Sequence, residues 1–376
     1  MPVSSLNIAR QETGAARIGD TVFVVGGLLT APPLRATDTV EAYDINSDQW
    51  SLVAPMPVAL DHMAAVAVEG KLYVVGGFSG DFQARDEVWV YDPVADSWRA
   101  AAPLPEPRGG CWAVAFQDKI YLFGGVDANG VAQSDTFIFD PAQDQWAAGA
   151  PMPTPREHLT AAVVGEFIYV IGGRAGASTN VNEKYHPACD SWQVMASMPT
   201  ARSAMLTVPL GEKIYVAGGE LPVLFRVQEV YDTASDSWSC SEPMAIPRHG
   251  IAGVPLEDRI LAPAGGVVQG LLPTLEADVF VPAAAKLFVR GDCNSDGEYD
   301  IADPISGLNY LFGGDDPPPC QDACDGNDDG SVNIADMIAL LCNLFSDGAD
   351  PPSPFPECGS DPTADSSGCS AFTPCP

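Results

Sequence analysis

A glycine pair follows an apolar run six times in the first 290 residues, at Gly26-Gly27, Gly76-Gly77, Gly124-Gly125, Gly172-Gly173, Gly218-Gly219 and Gly265-Gly266. The steps are 50, 48, 48, 46 and 47 residues. The runs, such as TVFVVGG, KLYVVGG and FIYVIGG, read as buried strands ending where the backbone admits only glycine. Further along each copy an aromatic residue precedes a tryptophan by seven positions: Tyr43 to Trp50, Tyr91 to Trp98, Phe139 to Trp146, Tyr185 to Trp192 and Tyr231 to Trp238. The sixth copy keeps Phe280 but has Leu287 in the tryptophan position. No helical period appears before residue 300, so each unit offers short strands only. Such a unit cannot bury both faces alone. Six stacked radially can, which predicts a mainly β, six-bladed β-propeller over residues 1–290. The glycine pairs are not phosphate cradles, because no helix follows them and no lysine sits beside them.

Double glycine, then Tyr-Asp, then Trp at this period resembles the Kelch repeat, with five copies matching in full and the sixth in part. The closing blade takes its last strand either from Ala285–Val289 or from residues 2–8 folding back. An arginine stands 16 residues before the first glycine at Arg10, Arg108, Arg156 and Arg202, and 17 before it at Arg248; Leu60 holds the place in the second repeat. In Kelch-like propellers this turn shares a face with the loop after the glycine pair, which here carries Arg174 and Glu220. Two readings stay open. Either the guanidinium groups ring a central pocket and bind an anionic small molecule, a glycan or an acidic protein segment, beside the in-register His62 and His158, or they bond only to neighbouring blades.

The segment GELPVLFR places Glu220 and Arg226 six apart, similar to the catalytic carboxylate and arginine of six-bladed Kelch sialic-acid mutarotases. That likeness implies Glu220 moving the anomeric proton while Arg226 holds the sugar carboxylate. Kelch-type copper-radical oxidases fit poorly, because the histidines are scattered and the repeats number six rather than seven. Trp89 and Trp112 lie in apolar strands and read as core.

From residue 291 the pattern changes. GDCNSDGEYDIAD puts Asp292, Asn294, Asp296, Asp300 and Asp303 at loop positions 1, 3, 5, 9 and 12, with Gly297 at 6. Asp325, Asn327, Asp329, Asn333, Asp336 and Gly330 repeat this 33 residues later. Calcium takes six to eight hard oxygens. Side chains at 1, 3, 5 and 12, the carbonyls of Glu298 and Ser331 at 7, and a water held by position 9 supply them, so two Ca2+ ions are expected. The 33-residue offset continues through Ile305/Ile338, Leu308/Leu341, Leu311/Leu344 and Phe312/Phe345, which describes a short amphipathic helix after each loop and none before. Two loop-helix units with Asp at position 12 resemble a dockerin module over residues 291–347. That resemblance implies docking onto a cohesin-like protein through Ile301-Ala302, Ile334-Ala335 and the helices behind them. Many dockerins carry polar residues at these positions, so the partner's identity does not carry over, and an intramolecular role against the propeller stays open.

Charge and cysteine mark the same boundary. Residues 291–376 hold 17 acids and no Lys or Arg, out of a total of 50 acids and 18 bases, and seven of the ten cysteines. A net charge of −32 excludes nucleic acid and anionic membrane as partners. No apolar stretch reaches the length of a membrane helix. Residues 348–376 form a Pro/Cys-rich tail. Sequence allows pairings Cys358–Cys369, Cys320–Cys324 and Cys293–Cys342 with one cysteine left over. Dense cysteines and calcium loops belong outside the cell or on its surface. The first 20 residues lack the apolar core of a secretion signal, which is consistent with a start internal to a longer precursor. The expected function is recognition by the propeller and attachment through the calcium module, with sialic-acid-type mutarotation as the alternative.

Overall fold

The computed structural model describes residues 3–29, 35–80, 82–241, 243–257, 259–280, 288–346, 348–356, 358, 372 and 374. The chain divides into two compact units, Met1–Ser237 with Pro243–Pro282, and Trp238–Glu242 with Ala283–Pro376.

The first unit is the six-bladed propeller. Blade one is an antiparallel sheet of Gly14–Ile18, Thr21–Val25, Val40–Asp44 and Gln49–Leu52, in that order. Blades two, three and four repeat it from Ala64, Trp112 and Thr160. Blade five contributes Leu206–Leu210, Lys213–Ala217 and Gln228–Asp232; blade six contributes Val254–Leu256, Arg259–Pro263 and Ala277–Phe280. The second strand of each blade is apolar without alternation because adjacent blades cover both its faces. Val22, Val24 and Val25 are fully buried, as are Ile168, Val170 and Ile171. Trp89 and Trp112 pack partly buried against these clusters, as expected.

The Tyr-Asp-Trp signature is a latch between blades. Tyr91 donates its hydroxyl to Asp96 Oδ1 at 2.6 Å, and the same oxygen accepts the Ala54 N–H at 2.9 Å. Trp98 Nε1 donates to the Ala54 carbonyl at 2.9 Å. Tyr185, Asp190 and Trp192 hold Ala150 in the same way. In blade one Tyr43, Asp48 and Trp50 hold Ser4. The N-terminal segment thus takes the place of a preceding blade's linker. Residues 3–8 form no strand, and of the alternative closing segment, residues 285–287 lie outside the described residues.

Each glycine pair also joins blades. Gly26 and Gly27 have φ of 58° and 101°, and the Gly27 N–H donates to the Leu60 carbonyl at 2.9 Å. A Cβ on Gly26 would stand 2.5 Å from that oxygen, so the close approach and the left-handed backbone both demand glycine. The sixth pair differs from the sequence reading. Gly265 has φ of 102° and its N–H meets the Arg10 carbonyl at 2.8 Å, so the pair is Ala264-Gly265 rather than Gly265-Gly266. Arg248 is then in strict register, and no residue is inserted. This bond also ties blade six to blade one.

In the second unit the two acidic loops are each followed by helix: Ala302–Leu308 continuing into a π-helical turn at Asn309–Gly313, and Ile334–Phe345. A four-residue helix, Gln321–Cys324, does precede the second loop, contrary to expectation. Cys293 bonds to Cys324, which corrects both the Cys293–Cys342 and the Cys320–Cys324 pairings. Cys342 is free and exposed, while Cys320 and Cys358 are disulfide-bonded. Cys369 and Cys375 lie outside the described residues. The bridge packs with Met337 and Leu340 in a small core flanked by Leu308 and Leu311. Arg290 is fully buried and ties the unit together by donating to the carbonyls of Asp322 and Asp325 and pairing with Asp328 at 2.9 Å.

Candidate functional site

The in-register arginines do not surround a pocket. Arg10, Arg108, Arg156, Arg202 and Arg248 are all 0% exposed. Arg10 donates to the carbonyls of Gly26 and Thr39 and pairs with buried Glu41 at 2.7 Å. Arg156 pairs with Glu183 at 2.5 Å, Arg202 with Glu229 at 2.9 Å, and Arg248 with Asp278 at 2.6 Å. Arg108 reaches Asp135 at 2.5 Å. The left-handed glycines turn strand-end carbonyls inward, and the guanidinium groups of Arg10, Arg156, Arg202 and Arg248 donate to them while each neutralises an acid of its own blade's third strand. Arg108 instead donates to the Pro107 carbonyl and pairs with Glu106 and Asp135. In blade two, where Leu60 replaces the arginine, the equivalent Glu87 bonds to Arg85 instead, which holds its carboxyl below the usual range. Burial removes the reason to expect an anionic ligand on this ring.

Two residues beyond each arginine position lies a second ring, and it faces the axis. Glu12, His62, Gly110, His158, Ala204 and Gly250 all have positive φ, between 50° and 62°. Each N–H donates to the carbonyl of its counterpart in the preceding blade: His62 to Glu12, Gly110 to His62, His158 to Gly110, Ala204 to His158, Gly250 to Ala204 and Glu12 to Gly250, all at 2.8–3.1 Å. This closed circle of six backbone hydrogen bonds stitches all blades at the channel. Three members carry functional side chains, and the small ones make room for them. A Cβ on Gly250 would lie 2.5 Å from Glu12 Oε1, and one on Gly110 would lie 2.9 Å from His158 Nδ1.

The side chains at this mouth form a connected polar cluster. His62 Nδ1 bonds to Asp61 at 2.5 Å, and its Nε2 is 3.5 Å from Glu12. His158 Nδ1 contacts Glu157, and its Nε2 accepts from Arg174 at 3.2 Å. Arg174 also pairs with Glu157 at 2.5 Å and Glu220 at 3.0 Å. His249 Nε2 accepts the Gly270 N–H at 3.0 Å while Nδ1 faces the Gly266 carbonyl, which fixes its proton on Nδ1. Burial, reinforced by His62, Arg174 and His249, holds His158 well below the ordinary histidine range. Burial also acts to lower His62, but Glu12 and Asp61 outweigh it, and its pKa is raised. Beneath the ring lies a cavity of about 40 Å³ lined by Thr13, Met63, Cys111 and Met205 among others, room for water and little more.

Of the site residues read from sequence, His62, His158, Arg174 and Glu220 meet at this mouth. Arg226 does not: it is exposed and gives its Nε to the Met244 carbonyl. The guanidinium beside Glu220 is that of Arg174. Sequence alone does not single out Glu12, although its register matches that of His62 and His158; Asp61, Glu157 and His249 sit one position before the ring.

The acidic loops reproduce each other bond for bond. Asp292 accepts from the N–H groups of Asp296 and Gly297 at 3.0 and 2.8 Å; Asp325 accepts from those of Asp329 and Gly330 at 3.1 and 2.8 Å. Asp303 accepts from Asn294 and Asp300, and Asp336 from Asn327 and Asn333. Gly297 and Gly330 adopt φ of 91° and 82°. Asp292, Asp303, Asp325 and Asp336 are all buried, and burial pushes Asp303 and Asp336 up to about 6. Asp325, Asp329 and Asp336 bring carboxylate oxygens within 4.8 Å of one another, a set able to hold a metal ion. At position 9, Asn333 caps its helix by accepting the Ala335 N–H at 2.8 Å, and Asp300 accepts the Ala302 N–H at 2.7 Å.

The repeat geometry and the sequence comparisons agree on the class. Residues 12–219 match the KLHDC2/KLHL20/DRC7 Kelch-repeats domain, more than half of the chain, and the chain belongs to the Kelch-repeat family. It is 38% identical over 77 residues to Kelch-like protein terF of Aspergillus terreus, 37% over 79 to the influenza virus NS1A-binding protein homolog of Mus musculus, and 50% over 46 to human Kelch-like protein 4. These matches span 20%, 21% and 12% of this chain, and only 17%, 12% and 6% of those relatives' lengths. The structure of YjhT superposes with a TM-score of 0.66 at 17% identity, covering 75% of this chain and 97% of that one.

Proposed function

We propose that the protein is an extracellular recognition propeller carried on a calcium-dependent docking module. The observation behind this is the duplication in the second unit. Two loops share one hydrogen-bond frame, and each is followed by the same exposed apolar side chains: Ile301 and Ile334, Ile305 and Ile338, Phe312 and Phe345, all 48–71% exposed. Four buried aspartates face each other in loops whose own hydrogen bonds come from N–H groups, which is an arrangement suited to one hard cation per loop. Asp292, Asn294, Asp296, Asp303 and the Glu298 carbonyl are the expected donors in the first loop, and Asp325, Asn327, Asp329, Asp336 and the Ser331 carbonyl in the second. The apolar doublet then supplies a surface for a cohesin-like partner. Calorimetric titration of the metal-stripped chain with Ca2+ is the test. Two sites are expected, one lost in Asp303→Ala and one in Asp336→Ala; a single site or none ends this reading. With calcium present, binding to a panel of cohesin domains should vanish in Ile305→Asp/Ile338→Asp.

A second reading has one observation in its favour: Glu220 and the Arg174 guanidinium stand 3.0 Å apart at the channel mouth. In a mutarotase Glu220 would move the anomeric proton while Arg174, rather than Arg226, held the carboxylate. Anomer exchange of N-acetylneuraminate followed by NMR decides it, since no acceleration above buffer removes the enzyme reading.

A further inference from the structure

We propose that Glu12, His62 and His158 form a site for one divalent transition-metal ion on the axis of the propeller, separate from the calcium loops and independent of what they bind. The three residues come from blades one, two and four, and occupy the same register in the closed backbone ring. Their ligand atoms all lie within 4.8 Å of one another. Donors about 2 Å from a tetrahedral ion stand about 3.3 Å apart, so the side chains must rotate inward to close on it; Glu12 and His62 Nε2 are already 3.5 Å apart. Because the ring fixes the three backbones, the donor set is preorganised.

The surroundings match those of a metal site in two further respects. Each histidine has a carboxylate one residue ahead of it beside Nδ1: Asp61 bonds to His62 Nδ1 at 2.5 Å, and Glu157 lies against His158 Nδ1. This leaves Nε2 of each ring as the ligand atom, the carboxylate–histidine–metal arrangement that fixes the tautomer and raises ligand basicity. Charge also favours a cation. Glu12, Asp61, Glu157 and Glu220 meet Arg174 as the guanidinium of the cluster. Two imidazoles and one carboxylate select a first-row transition ion over calcium or magnesium. On the cavity side, Thr13 Oγ1 is buried without a hydrogen-bond partner and lines the space beneath the ring. Arg174 opposes the ion, because its Nη2 donates to His158 Nε2 at 3.2 Å. The ion displaces that bond, and the guanidinium keeps Glu157 and Glu220.

The test uses the full chain, stripped of metal, saturated with Ca2+ to fill the acidic loops, and titrated with Co2+. One equivalent should bind with visible d–d absorption of a nitrogen-ligated ion. Glu12→Gln and His158→Gln should each weaken it by about tenfold or more, and Asp61→Asn by about 10–100-fold. Arg174→Gln should tighten it, since a competing cation is removed. Asp336→Ala should leave it unchanged. Should the histidine variants fail to fold, the wild type still decides. Its Co2+ form should show two hyperfine-shifted, exchangeable imidazole N–H signals in proton NMR, from the Nδ1 protons of His62 and His158. Absence of those signals, or an absorption unaffected by Glu12→Gln, overturns the proposal.

Discussion

Both units bury carboxylates, and they neutralise them in opposite ways. In the propeller Glu41, Glu183 and Glu229 are at most 1% exposed, and each meets an equally buried arginine of its own blade. In the second unit Asp292, Asp303, Asp325 and Asp336 are at most 1% exposed and accept from backbone N–H groups. Residues 291–376 contain no Lys or Arg to balance their 17 acids. The propeller therefore carries the countercharges of these buried acids within its own sequence. On the proposed reading, the loop carboxylates of the second unit take their countercharge from a cation in solution, which would tie its folding to conditions outside the chain.

The largest expected effect follows from that difference. Excess chelator should abolish the helical circular dichroism of Ala302–Leu308 and Ile334–Phe345 and open residues 291–346 to protease, while the propeller's melting temperature stays put. Helix and protease resistance that survive chelation would show that the second unit, like the first, balances its own charge.

Next in size is the loss of an internal countercharge. Arg156→Ala strands Glu183, which is buried, along with the carbonyls of Gly172 and Val170. The expected cost is about 3–5 kcal/mol in a urea or thermal melt. An Arg156→Ala propeller as stable as wild type would mean that these pairs are not what balances the buried acids.

Much of the propeller was legible because its signatures are covalently spaced: the glycine pairs and Tyr-Asp-Trp sets recur at a fixed period, and each has one geometric role. The arginine register was equally visible, but spacing alone does not separate a guanidinium facing a ligand from one facing its own strand. The missing signal was the acid two or four residues before each third-strand aromatic, as at Glu41 before Tyr43 and Asp135 before Phe139. The axial ring was half seen. His62 and His158 stand out as residue types, whereas Glu12 is one glutamate among many until the backbone circle gives its position meaning. In AGG, sequence cannot say which two residues turn left-handed; Ala264 tolerates φ of 60°, so the pair slipped by one. The disulfides followed three-dimensional proximity, which the 33-residue repeat alone did not specify.

Acidity should act on the two units through different groups, with effects of about 1–3 kcal/mol per loop carboxylate. Burial pushes the Asp303 and Asp336 carboxyls up to about 6, above the unfolded value of about 4. The folded unit then binds more protons across that window, so its stability without calcium rises as pH falls from 6 towards 4. The latch aspartates run the other way. N–H and tyrosine O–H donors depress Asp48, Asp96 and Asp190. Their contribution is intact above the unfolded pKa and is lost only as pH falls through their lower folded values. Asp61 and Glu229 are raised by burial within the propeller, so variants isolate each effect. The difference between wild type and Asp303→Asn/Asp336→Asn should change between pH 6 and 4. That between wild type and Tyr91→Phe should change only below about pH 4. Identical pH dependence for both differences would erase the distinction.

The smallest effect is a gain. Blade three has Phe139 where blades one, two and four have tyrosine, so Asp144 accepts the Ala102 N–H at 2.9 Å with no phenol beside it. The ring is already in place. Phe139 lies 4.9 Å from Trp146 at 39°, against 4.9 Å and 41° for Tyr185 on Trp192 and 5.0 Å and 36° for Tyr91 on Trp98. Tyr185 and Tyr91 reach their aspartates at 2.6 Å from that pose, so a hydroxyl on residue 139 should reach Asp144 Oδ1 without repacking. One added bond to an ionised carboxylate is worth about 0.5–1.5 kcal/mol net of desolvation. Phe139→Tyr should therefore raise the propeller's melting temperature by a few degrees, with the chelator-sensitive transition of the second unit unmoved, and Tyr185→Phe should lower it by a similar amount. If Phe139→Tyr lowers stability, the latch in blade three is closed to a phenol. The repeats would then differ in more than the residue they carry, and the propeller's internal pairing would be less uniform than its register implies.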